Sequence, residues 1–305
     1  MKQSTKVPAK SRSSLKGGAS AAITLLGMMV TCGIAVPIRQ AGASTHASTA
    51  HESEAARSEA NPTEASTPVV VELFTSEGCS DCPPADRLLY ALEQAQPVPG
   101  AAIIALEEHV DYWDSQGWRD PFSSSQYTAR QKDYVYAFDL QTAYTPEMVV
   151  DGAAEFVGSD KNRAVAAIAK AARVPKANLR IELLPASNSA AGTLHLRVSL
   201  AALGASNPKH GAEVLLAITE DDLESNVTRG ENAGAHLSHF GVVRQLRVMG
   251  RVDSAGSFSS ESDLMPANNW KRENLHVVAF CQDRSTKKIL AASTIALPGN
   301  PEAAR

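Results

Sequence analysis

The chain has 305 residues, 44% of them hydrophobic, with 29 Lys and Arg against 33 Asp and Glu. That length suits two modest domains rather than one. The slight excess of acid argues against nucleic acid as a partner, and four cysteines are too few for a disulfide-dense scaffold.

The N-terminus has the form of an export signal. Lys2, Lys6, Lys10, Arg12 and Lys16 precede an apolar run from Ala19 to Val36, and Ala41-Gly42-Ala43 is a small-x-small cleavage pattern. Residues 1–43 are therefore expected to be a signal peptide that delivers the body to the periplasm or the medium. The apolar run also borders on the length of a membrane span, so an uncleaved anchor on the outer face of the inner membrane is the alternative. Cleavage after Ala43 removes six basic residues and no acidic one, which leaves 23 basic against 33 acidic groups and a formal charge of −10. Such a body is expected to touch no nucleic acid, and a membrane only through that leader. Residues 44–67 are rich in Ala, Ser, Thr and Glu without apolar periodicity and are expected to form a disordered linker.

Val69–Phe74 is an apolar, β-branched run bounded by Pro68 and Gly78, the pattern of a strand buried on both faces. Leu88, Leu89 and Leu92 then recur at helical spacing, with Pro83 or Pro84 suited to a first turn. Cys79 and Cys82 fall where this strand becomes a helix. A helix N-terminus aims free N–H groups and a positive dipole end at a sulfur, which favours the thiolate. A two-residue gap lets a second sulfur resolve a mixed disulfide. The same pair could also be a static staple or half of a metal site, although no second Cys-x-x-Cys supplies further ligands. Asp81, inside the pair, opposes a thiolate and predicts a poise less oxidising than that of dedicated disulfide donors.

Ala101–Leu106 repeats the buried-strand pattern, so strand, helix and strand predict a right-handed crossover and a parallel pair. The stretch from Glu107 to Phe122 is dense in aromatics and charges, with His109, Asp111, Tyr112, Trp113, Trp118 and Asp120 among them. It starts at a strand's carboxyl end, where open α/β sheets place ligand crevices. Two readings stand: a substrate-gripping surface beside Cys79 that includes His109 and Trp113, with His109 or Asp111 assisting proton transfer, or an insertion packed on its own aromatics. A helix is expected over Ser125–Ala137. In Tyr144–Gly152, Pro146 enters a strand, Asp151-Gly152 signals a hairpin, and Ser159 can cap a last helix. This order predicts an α/β thioredoxin-like domain over residues 68–175, with an insertion at about 107–143. In that fold the bond before Pro146 is cis, and Thr145 and Pro146 present the backbone of an extended substrate.

These stretches resemble domain of unknown function 1223, a family of secreted bacterial proteins with a thioredoxin-like fold. The resemblance rests on Glu72–Asp86, His109–Trp113 with Gly117–Phe122, Tyr144–Gly152 and Arg229–Gly234, and covers Val70 to about Leu297. It implies the fold and export but no established activity. By analogy with the broader thioredoxin-like group, Cys79 would attack, Cys82 resolve, and Pro146 be the substrate-side cis-proline.

Beyond residue 176 the pattern changes. Asn178–Leu184, Thr193–Leu200, Glu213–Thr219, Phe240–Met249, Leu275–Cys281 and Ile289–Leu297 read as strands, with no long helix between them. An antiparallel β-sandwich domain over 176–298 is expected, followed by a tail at 299–305. Cys281 reads as a small buried hydrophobe, with pairing to Cys79 or Cys82 as the sharper alternative. His236 and His239 can be metal ligands only if a third ligand folds beside them. There is no phosphate-cradling glycine loop, no Gly-x-Ser-x-Gly elbow and no internal repeat, so no cofactor and no resident metal is expected. Three functions stay open: an exported thiol–disulfide oxidoreductase acting on protein or peptide thiols, a binding or assembly module with a static disulfide, and a copper or zinc carrier built on Cys79, Cys82 and His109.

Overall fold

The computed structural model describes residues 66–185 and 193–298. The expected signal peptide, nearly all of the linker and the tail lie outside these residues. Among the described residues no helix is long and apolar enough to cross a membrane.

The first half alternates strands and helices in the expected order. It runs β1 (Thr67–Thr75), α1 (Pro83–Ala95), β2 (Ala101–His109), α2 (Ser125–Ala137), β3 (Glu147–Val150), β4 (Ala154–Val157) and α3 (Lys161–Ala171). β1 and β2 are parallel, from Thr67 opposite Ala101 to Thr75 opposite His109. β3 is antiparallel to β1, and β4 to β3. Alternate side chains serve two cores. Val69, Val71, Leu73, Ile103, Met148 and Val150 meet Leu89 and Leu92 of α1 and Ile168 of α3 on one face. Val70, Ile104 and Leu106 meet Tyr127 of α2 on the other. Each such side chain contributes ~1.5–3 kcal/mol on burial, which is why these runs show no polar face in the sequence.

The second half holds β5 (Leu179–Leu184), β6 (Leu194–Leu200), β7 (Ala212–Glu220), β8 (Leu223–Asn226), β9 (His236–His239), β10 (Val242–Arg251), β11 (Phe258–Leu264), β12 (Leu275–Asp283) and β13 (Ile289–Ala296). These strands differ from the expected self-contained sandwich. β10, β7, β12 and β13 extend the sheet of the first half, so one eight-stranded sheet runs β13-β12-β7-β10-β2-β1-β3-β4. β5, β6 and β11 form a separate three-stranded layer. Leu196 and Val198 of that layer pack on Leu216, Ile218, Val277 and Ala279 of the large sheet, so two facing sheets are present. The two halves are joined because β2 would otherwise be an open edge. Val242 of β10 pairs with Glu107 of β2, and Glu107 N donates to Gly241 O at 2.9 Å. Alternation in a sequence reports which face of a strand is buried and says nothing of its edges.

Gly241 makes that junction fit. Its φ is +70°, and a Cβ there would stand 3.2 Å from the carbonyl oxygen of Ala105. Only glycine meets both conditions without strain. β8 and β9 form a two-stranded hairpin just before this junction, and His239 ends it.

Candidate functional site

Cys79 and Cys82 form a disulfide at the expected strand-to-helix turn. Cys82 is the N-cap of α1, with Pro83 and Pro84 behind it, and the backbone N–H groups of Ala85 and Asp86 donate to its carbonyl. The helix thus begins at the second cysteine. Cys79 is 2% exposed and Cys82 is wholly buried. Cys281 is free and buried on β12 and pairs with neither, and burial pushes its thiol up to about 12.

Two groups of side chains close over the pair. Trp113 lies against Gly78, where an added Cβ would stand 3.0 Å from Trp113 Cβ, and Trp113 Nε1 donates to Thr145 Oγ1 at 2.8 Å. The Thr145–Pro146 bond is cis. A Cβ at Gly158 would stand 3.1 Å from Ala85 Cβ and 3.2 Å from Pro146 Cβ, so the first turn of α1 and the proline meet across that glycine. From the second half, Asn232 Nδ2 donates to the carbonyls of Glu77 (2.8 Å) and Cys79 (2.9 Å). Glu231 Oε2 accepts from Ser80 N and Ser80 Oγ at 3.1 and 2.8 Å. The 229–234 loop therefore lies over the cysteine turn.

Of the residues singled out from the sequence, Cys79, Cys82, Trp113, Thr145 and Pro146 come together. His109 stands apart from that surface. It is wholly buried at the end of β2, with Nδ1 2.7 Å from Asp120 Oδ2 and Nε2 3.3 Å from Glu107 Oε1. It does not face a substrate-accessible surface, because its carboxylate partners hold it inside. His239, which the sequence left without a third ligand, is its neighbour: the ring centroids are 4.8 Å apart. His236 is exposed, with Nδ1 2.9 Å from Asn226 Oδ1.

This buried polar cluster is dense. His239 Nδ1 is 2.7 Å from Glu107 Oε1, and His239 Nε2 is 3.3 Å from Glu77 Oε1. Glu77 Oε2 accepts from Trp118 Nε1 at 2.6 Å, and Glu107 Oε2 from Phe240 N at 3.0 Å. Asp120 Oδ2 also accepts from Glu77 N at 2.8 Å. Burial pushes Glu107 up, but the two histidines outweigh it and hold the carboxyl down at about 2. Burial lowers His239, and the Glu107 carboxylate more than reverses this, raising it to about 10. Asp86, on α1, is raised to about 7 by burial and by Glu107. Glu77, Glu107, Asp120 and His239 were missed or left without a role in the sequence reading. The available signal was Glu107-Glu108-His109 continuing a buried strand without a break: charges there must be paired inside the protein.

A family model described as "Protein of unknown function (DUF1223)" matches residues 70–282. The chain belongs to the DUF1223 family. Among solved structures, a protein of Agrobacterium tumefaciens determined by X-ray crystallography in a structural genomics programme is similar. It has 24% identity and a TM-score of 0.57, and the match covers 77% of this chain and 96% of that one. This likeness extends the fold to a DUF1223 chain's structural relative and no further. A domain of the outer membrane lipoprotein Omp28 from Porphyromonas gingivalis matches at 16% identity with a TM-score of 0.22, covering 41% of this chain and 91% of that one. No curated protein matches the chain.

Proposed function

We propose that this DUF1223 protein is an exported thiol–disulfide oxidoreductase with a thioredoxin-like first half. The strand order β2-β1-β3-β4, with β1 parallel to β2 and a hairpin after a cis proline, supports that reading of the fold. The basic and apolar leader supports export, and a formed disulfide suits an oxidising compartment. The single observation that carries the activity is the position of the disulfide: Cys82 is the N-cap residue of α1, and Trp113, hydrogen-bonded to Thr145, packs against the same turn at Gly78. In the reaction, a substrate thiolate attacks Cys79 Sγ and the Cys79–Cys82 bond breaks. Cys82 leaves as a thiolate and takes a proton. A second substrate thiolate then attacks the mixed disulfide and Cys79 leaves, so a substrate dithiol becomes a disulfide as the protein's pair becomes a dithiol.

Burial sets the condition. With Cys79 only 2% exposed, a protein or peptide thiol reaches it only when the groups packed around the turn move, the 229–234 loop bonded to its backbone among them. The same burial favours a second reading, a static disulfide in a binding or assembly module. A redox titration separates the two. A working pair titrates above about −300 mV, and a static one resists glutathione below that value. Trapping a mixed disulfide with Cys82→Ala tests whether Cys79 is the sulfur that bonds to substrate. No trapped partner, together with a potential below that limit, leaves the static reading.

A further inference from the structure

We propose that His109, His239 and Glu107 form a binding site for a divalent first-row transition metal, of the zinc class. The site is independent of the cysteine pair. One atom from each of the three residues lies within 4.8 Å of the other two, and all three residues are buried. Glu107 Oε1 is the common neighbour, 2.7 Å from His239 Nδ1 and 3.3 Å from His109 Nε2. Tetrahedral ligands at ~2.0–2.1 Å from an ion stand roughly 3.3 Å apart; Glu107 Oε1 and His109 Nε2 already have that spacing, and Glu107 Oε1 and His239 Nδ1, at 2.7 Å, draw apart to admit the ion. His109 Nε2 has no hydrogen-bond partner although it is buried. A metal bond satisfies that nitrogen.

The surrounding groups are those a metal site requires. A ligating histidine ordinarily donates its other N–H to a carboxylate, which fixes the tautomer and strengthens the ligand. His109 has this partner, with Nδ1 on Asp120 Oδ2 at 2.7 Å, while His239 Nε2 stands 3.3 Å from Glu77 Oε1 without a hydrogen bond to it. Asp120 and Glu77 are themselves held, by the backbone N–H groups of Glu77 and Phe122 and by the Trp118 indole. Glu107 is held through its second oxygen by Phe240 N. Two imidazoles and one carboxylate are a three-residue donor set that leaves coordination positions free. A surface pocket of about 530 Å³ borders His239, and Asp86, Asp222 and Glu224 with Arg87 also line it. It offers a cation an acid-rich way in.

The test uses the full chain with its disulfide intact, stripped with chelator, and titrated with Co²⁺ followed by Zn²⁺. The expected result is one Co²⁺ per chain, with visible bands of nitrogen and oxygen ligation and no thiolate charge transfer, displaced by one equivalent of Zn²⁺. His239→Gln and His109→Ala abolish the bands, and Asp120→Asn weakens Zn²⁺ binding by ~10–100-fold through the orientation of His109. His236→Gln leaves binding unchanged. Absence of bands in the folded wild type overturns the site, as does equal affinity in wild type and His239→Gln. Should the ligand variants not fold, the wild-type spectrum and stoichiometry decide alone.

Discussion

Asn232 Nδ2 sits 2.9 Å from the carbonyl oxygen of Cys79, a residue 153 positions earlier in the chain. The same nitrogen is 2.8 Å from the carbonyl of Glu77. A loop of the second half is therefore fastened to the backbone of the disulfide itself. Each bond of this kind contributes about 1 kcal/mol net. Asn232→Ala is expected to open the loop more often and to speed reduction of the Cys79–Cys82 bond by dithiothreitol ~10-fold. Thiol release under excess reductant measures this. An unchanged rate places the barrier elsewhere than in the loop.

Trp113 links the cysteine turn to the proline loop through its bond to Thr145. Trp113→Phe keeps most of the packing and removes the donor, and Thr145→Val removes the acceptor. Each is expected to cost ~1 kcal/mol, and the double variant less than the sum by ~0.5–1.5 kcal/mol. Urea unfolding of the four proteins gives the coupling. Strict additivity would show that the bond does not join the two loops.

Glu147 follows the cis proline and is wholly buried. Burial, aided by Glu155 and Glu72 and opposed by the Gln131 hydrogen bond, raises its carboxyl from 4.5 to about 7. Between those values the native state keeps a proton that the unfolded chain has lost. Stability from this group therefore falls as pH rises through that window and is lowest above it. Glu147→Gln is expected to match the wild type near pH 4 and to be the more stable protein at pH 8, by as much as ~3 kcal/mol. Chemical denaturation at both pH values checks the sign, and a variant weaker at pH 8 than at pH 4, relative to wild type, refutes it.

Much of the first half was legible in the sequence. Val69–Phe74 and Ala101–Leu106 had to be buried strands, because apolar β-branched runs of that length have nowhere else to go. The disulfide, the cis bond before Pro146 and the three helices sat close to where spacing and turn residues put them. The joining of the halves was not legible. It depends on one parallel bridge, Val242 to Glu107, and on a glycine conformation, neither of which leaves a periodic mark. β8, β9 and β11 escaped notice because their residues alternate serine, histidine and acid rather than clear apolar positions. The histidine cluster was half visible. His109 and His239 each stood out, but they come together only because β9 delivers His239 to the end of β2, and no local spacing encodes that meeting.

Gly241→Ala is expected to destabilise the protein by ~2–3 kcal/mol, from a left-handed backbone and from contact with the Ala105 carbonyl. Gly100→Ala supplies the comparison. It has a similar φ of +78° with nothing within 4 Å of the added carbon, so it carries the backbone cost alone, ~1–2 kcal/mol. Thermal or urea unfolding of both variants isolates the steric part, and equal losses would remove it.

The bridge from β2 to β10 also bears on how the molecule is made. A polypeptide emerging N-terminus first displays the outer rim of β2, with its free amide and carbonyl groups, until residues beyond 242 have been synthesised. During that interval the rim is a template for another chain. A truncated product ending near residue 175 keeps the rim bare permanently. It would be prone to stack with its own copies into intermolecular sheets, however sound its helices and disulfide.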